Sequence, residues 1–144
     1  SLESDLSKAI FSIPAVKAVE FGSGFEGSKK RGSENNDTYY MRDDGRVATR
    51  TNNAGGILGG LSSGMPLVLR AGFKPAASIA REQDTLDMAT HGQTKLTVPG
   101  RHDPCVVPRA PPIVECVVAM VLADHALRAG LVPPVLGKKG GASS

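Results

Sequence analysis

The chain has no tryptophan, two tyrosines and four phenylalanines, so aromatic residues fill only 4% of its 144 positions. A core must therefore be built from Val, Ile, Leu and Ala. Cysteine is scarce as well. Cys105 and Cys116 are too few for a thiolate metal site, and they are not spaced as a CxxC redox pair. They read as reduced thiols of a cytoplasmic chain. No apolar run reaches the roughly 18 residues of a bilayer crossing, so no membrane span is expected. Charge of one sign never accumulates: the net charge is +3, and only Lys29-Lys30-Arg31 and Lys138-Lys139 cluster. Neither cluster is interleaved with aromatic residues that stack on bases, so a solvated face is expected and nucleic acid is not an expected partner.

What is present suits one domain with a modest core. Hydrophobic residues make up 40% of the chain, and 17 glycines with 10 prolines call for many tight turns. Leu2, Leu6, Ala9 and Ile10 recur at helical spacing, with Glu3 and Asp5 at the positive end, which predicts a helix over Leu2 to Phe11 that Pro14 stops. Val16, Val19 and Phe21 predict a strand over Ala15 to Phe21, and Phe25 to Asn36 reads as an exposed loop. A hairpin is predicted from Asp37–Met41 and Val47–Thr51 around Asp43-Asp44-Gly45. Apolar residues on both sides of Met65 to Phe73 predict a largely buried strand. Ile79 to Met88 is read as holding a turn of helix, and Gln93 to Val98 as an exposed strand. Pro111-Pro112 opens a helix to Arg128 whose broad apolar face makes it a core helix, with Cys116 in its packing. The expected organisation is one domain over residues 1–131 and a flexible basic tail over 132–144.

Three stretches carry candidate chemistry. In Thr51 to Gly64, the pairs Gly55-Gly56 and Gly59-Gly60 permit close backbone approach to a ligand, yet the Walker A and GxGxxG spacings are absent. Tight backbone packing explains the same glycines nearly as well. Lys74-Pro75-Ala76-Ala77-Ser78 puts a cation and a hydroxyl on a proline-stiffened strand end, suited to a phosphate or a ring carbonyl. Arg101-His102-Asp103-Pro104-Cys105 places an anion-binding arginine beside an acid–base carboxylate on a stiff loop. A structural salt bridge between Arg101 and Asp103 is the plainer alternative. As a metal site the loop is poor, because adjacent side chains need not converge, and no metal is expected.

Ser12-Ile13-Pro14-Ala15-Val16-Lys17, Thr51 to Gly60, Lys74-Pro75, and Arg101-His102-Asp103-Pro104-Cys105 with Pro108-Arg109-Ala110 together resemble the C-terminal half of the chorismate synthase family. The motifs stand in the family's order across most of the chain. The resemblance implies an α+β fold, part of the chorismate synthase β-α-β sandwich, with mixed strands and a long C-terminal helix. It implies conversion of 5-enolpyruvylshikimate 3-phosphate to chorismate and phosphate with reduced FMN, NADPH as a possible flavin reductant, and a cytoplasmic homotetramer. By motif, Gly59, Lys74, Pro75, Ala76, Ala77, Ser78 and Arg101 match FMN contacts, Asp103 matches the catalytic aspartate, and His102 is a supporting neighbour. Ala76 or Ala77 stands where the family usually has a hydroxyl, and Ala18 where it has glycine. The family's N-terminal half, with two catalytic histidines and several substrate-binding arginines, has no counterpart here, so the chain alone is expected to be inactive. The other reading is a noncatalytic module that keeps fold and oligomer contacts.

Overall fold

The computed structural model describes residues 1–133. The expected tail therefore lies almost wholly outside the described residues. Helix α1, Leu2–Phe11, is capped by the Ser1 hydroxyl, which accepts from the Ser4 N–H, and Glu3 and Asp5 occupy its first turn. Leu2, Leu6 and Ile10 face inward. The strand predicted next is β1, Val16–Phe21, and it is followed by two single-turn helices, α2 (Gly24–Gly27) and α3 (Gly32–Asn35), where a plain loop was expected. Local capping explains them: Glu20 accepts from the Phe25 N–H, and Glu34 accepts from the Arg31 N–H.

The hairpin forms as expected from β2 (Tyr39–Met41) and β3 (Val47–Thr49). A second, very short hairpin, β4 (Ile57–Leu58) and β5 (Leu61–Ser62), occupies the glycine stretch. Strand β6, Leu69–Phe73, pairs antiparallel with β1. Strands β7 (Gln83–Asp87) and β8 (Gly92–Leu96) form a further hairpin. A 3-10 turn, Val107–Arg109, leads into α4, Ala110–Arg128. The architecture is α+β. Every strand pairing among the described residues is antiparallel and two-stranded.

The core lies where α1 and α4 cover the β1–β6 ribbon. Leu2, Leu6 and Ile57 form one buried cluster, against which Val118, Val121 and Leu122 of α4 pack. Ile10, Ile13 and Val16 form the other, against Val114, Val117 and Val118. The order of contacts shows that α4 runs antiparallel to α1. A polar staple closes one end: His125 Nε2 lies 2.8 Å from Asp5 Oδ2. That hydrogen bond, aided by the N-terminal amine and Arg128, holds the Asp5 carboxyl below its ordinary range despite some desolvation.

Three expectations are corrected. Residues Ile79 to Met88 hold no helix; β7 lies there instead, because pairing with β8 satisfies its backbone while its charged side chains remain solvated on a free-standing ribbon. Strand β6 is half-buried rather than buried: Leu69, Ala71 and Phe73 face the helices, while Arg70 takes the open face and pairs with Glu20. Helix α4 is apolar nearly all round and packs along one face only. Ile113, Cys116, Met120 and Leu127 are exposed, with Met120 64% exposed, so Cys116 is not in the core. With its preceding turn, Val107–Arg128 is also long and apolar enough, by length and composition alone, to cross a membrane. Arg109, Glu115 and Asp124 interrupt its apolar run without ending the helix.

Leu6 is fully buried at the centre of the first cluster. Leu6→Ala is expected to cost about 2–5 kcal/mol. Phe25→Ala, at a 73% exposed position, should stay within about 0.5 kcal/mol. Urea denaturation of the two variants checks both.

Candidate functional site

The glycine stretch is organised by side chains that the motif reading passed over. Asp37 accepts from the Thr51 hydroxyl and the Asn53 N–H through Oδ1, and from the Ala54 N–H through Oδ2, all at 2.6–2.9 Å. Asn52 bridges the stretch to its neighbour, donating to the Pro66 carbonyl and accepting from the Gly56 N–H. The first glycine pair serves packing. A Cβ on Gly55 would sit 2.3 Å from the Gly22 nitrogen, and one on Gly22 would sit 2.0 Å from the Asn53 oxygen. Two backbones cross there, and both glycines have positive φ.

The second pair forms the two-residue turn between β4 and β5. Gly59 and Gly60 have φ of 60° and 82°, which matches the type I′ turn favoured in tight hairpins. Gly59 is exposed, and nothing stands within 4 Å of an added Cβ.

Lys74 follows β6 directly, and its N–H donates to the carbonyl of Ala15 just past the C-terminal end of α1. Gly60, by contrast, accepts from Leu2 N–H at the N-terminal end. The ten residues of α1 span roughly 15 Å, so Gly59 and Lys74 stand at opposite ends of that helix. Lys74, Pro75, Ala77 and Ser78 are exposed and Ala76 is half-buried.

The 97–106 loop ends on the Lys74 side, where Phe73 of β6 shares an apolar groove with Val107, Ala110 and Pro111 at the start of α4. That groove has a volume of about 560 Å³. A second hollow of about 310 Å³ lies by Asp37, Tyr39 and Leu58. No sequence-named site residue lines either one.

Within the loop, His102 Nε2 meets the Val98 carbonyl at 3.1 Å, a structural tether. Asp103 does not pair with Arg101. Its Oδ2 instead accepts from Arg109 Nη1 at 2.8 Å, across the 3-10 turn. Arg109 stood in the quoted Pro108-Arg109-Ala110 motif, but its partner was not legible there. Lys74 and Arg101 make no ion pair among the described residues, a condition they share with Lys8, Lys17, Lys30, Arg31, Arg42, Arg50 and Arg81. No group of three or more His, Cys, Asp or Glu side chains gathers among the described residues.

An α+β segment with two helices laid over an antiparallel ribbon is the class of structure that meets the comparisons. The chorismate synthase family model matches residues 1–127. The chorismate synthase of Synechococcus sp. (strain CC9902) is 57% identical over 127 residues, covering 88% of this chain and 35% of that protein. That of Archaeoglobus fulgidus is 54% identical over 132 residues, covering 92% and 36%. A chorismate synthase crystal structure matches with a TM-score of 0.68 and 29% identity, over 89% of this chain and 30% of that one. This chain belongs to the chorismate synthase family, and it spans about a third of the length of the curated relatives it matches.

Burial is the largest single influence on Asp37 and opposes its ionisation. The hydrogen bonds from Thr51, Ala54 and Asn53 together outweigh it and hold the carboxyl below its ordinary value. A depressed folded value contributes stability above the unfolded pKa of about 3.9, and this is lost as pH falls through the folded value. Asp37→Ala is therefore expected to cost about 1–3 kcal/mol near neutral pH by orphaning its donors. The stability gap between the parent chain and Asp37→Asn should hold above about pH 5 and shrink below about pH 4. Urea midpoints measured from pH 6 to pH 3 check the trend, and a gap that does not move with pH would contradict it.

Proposed function

We propose that residues 1–131 are the C-terminal portion of a chorismate synthase, an enzyme of aromatic amino-acid biosynthesis in the shikimate pathway. In this reading it converts 5-enolpyruvylshikimate 3-phosphate to chorismate and inorganic phosphate with reduced FMN, as a cytoplasmic homotetramer. NADPH serves as reductant where the enzyme reduces its own flavin. The observation that carries the reading is the family match over residues 1–127, with Lys74 exposed at the close of β6 and Asp103 held by Arg109 ahead of α4. Lys74 and Arg101 lack carboxylate partners among the described residues, and Asp103 stands two residues from Arg101.

The donor set fits a flavin mononucleotide. An ammonium, a hydroxyl at Ser78 and a guanidinium suit a phosphate and the polar edge of a ring, and all three residues are exposed. Pro75 fixes φ after Lys74 and stiffens the segment that presents them. Gly59, at the far end of α1, would contact a different part of the assembled site. The elimination must lose phosphate and a C6 proton, and reduced FMN, when bound, supplies electron density transiently and takes up that proton. Lys74 and Arg101 bind and orient the cofactor. Asp103 manages the proton through its carboxylate, whose Oδ2 is held by Arg109.

The remaining residues of the site would come from the part of the family's length that this chain does not span. With reduced FMN and 5-enolpyruvylshikimate 3-phosphate, a full-length chain carrying these residues is expected to release phosphate and form chorismate. The 144-residue chain alone should turn over at least a thousandfold more slowly, since several groups that act as a unit are missing. Anaerobic phosphate release compares the two, and full-rate chorismate formation by the short chain would overturn the reading.

A further inference from the structure

We infer that Arg109 is a positioning residue for the proton-handling carboxylate of Asp103, a role that rests on the functional reading of Asp103 above. The loop over 97–105 makes no backbone–backbone hydrogen bond among the described residues. Two side-chain contacts hold it: His102 Nε2 to the Val98 carbonyl at 3.1 Å, and Arg109 Nη1 to Asp103 Oδ2 at 2.8 Å. His102 fixes the loop's path, but only Arg109 touches the carboxylate.

Arg109 is itself well placed to do this. It ends the 3-10 turn, its N–H donates to the Val106 carbonyl at 3.1 Å, and it occupies the N-cap position of the 19-residue α4. A rigid helix end thus carries the guanidinium, and the guanidinium orients a carboxylate on a loop that lacks its own backbone ladder. The side chains of Arg109 and Asp103 are 76% and 50% exposed. In water a pair this open contributes little to stability, so its consequence is orientation. Because one nitrogen meets one oxygen, Asp103 Oδ1 remains free for proton transfer, and a point charge at 109 can replace much of the contact.

The test is steady-state kinetics of the full-length enzyme with reduced FMN and 5-enolpyruvylshikimate 3-phosphate. Arg109→Gln is expected to lower kcat roughly two- to fivefold, the most that a pair this exposed can hold in orientation. KM for the substrate should stay within about twofold, because the residue does not bind it. Arg109→Lys should recover most of the loss, and Arg109→Gln combined with Asp103→Asn should be no slower than Asp103→Asn alone. Arg109→Met, which keeps the apolar stem, gives the same reading should Arg109→Gln fail to fold. Parent-level kcat in Arg109→Gln beside an impaired Asp103→Asn would overturn the positioning role and leave Asp103 standing. Parent-level kcat in Asp103→Asn would instead overturn the functional reading beneath it.

Discussion

Val118 packs against both buried clusters, and the α1–α4 contact it centres is what every other part of the chain depends on. Only eight hydrophobic residues are buried among the described positions, so a core this small has no redundancy. Its two clusters follow α1 and the turn into β1, from Leu2 to Val16, rather than gathering in a ball. The two ends of that line carry different devices. At one end the His125–Asp5 contact and the Gly59-Gly60 turn meet the start of α1; at the other, Lys74 and the Asp103 loop meet its close. A change that tilted α4 on α1 would therefore move the candidate site and the glycine turn relative to each other.

The open outer face of α4 has the same origin. Its sequence is apolar on more than one side, and the described residues cover only one of them. The uncovered Ile113, Met120 and Leu127, the open side of β6 and the free-standing β7–β8 ribbon are all surfaces without a neighbour among the described residues. That is consistent with a segment that spans about a third of its relatives' length.

Elements whose signals are local were legible in the sequence. Helical spacing and charge placement located α1 and α4, and alternation bounded by a turn located β1 and the β2–β3 hairpin. Contacts made between distant residues were not. The strand β7 was hidden because charge density argues against a buried element but says nothing about an exposed ribbon. The role of Asp37 was hidden because its donors lie 14 to 17 residues downstream. Arg101 stands nearer to Asp103 in sequence than Arg109 does, yet the 3-10 turn brings the farther arginine back. The site residues themselves came from joint motif resemblance, because the glycines alone leave their roles open: Gly55 serves packing, and Gly59 forms an exposed turn.

The central claim is that this chain carries one wall of a flavin site, built around Lys74 and Arg101. Fluorescence titration of FMN with the 144-residue chain tests it most directly. The account predicts saturable binding that Lys74→Ala and Arg101→Ala each weaken, and that Lys17→Ala, an exposed lysine on β1, leaves unchanged. Absence of saturable binding, or binding indifferent to both Lys74 and Arg101, would contradict it.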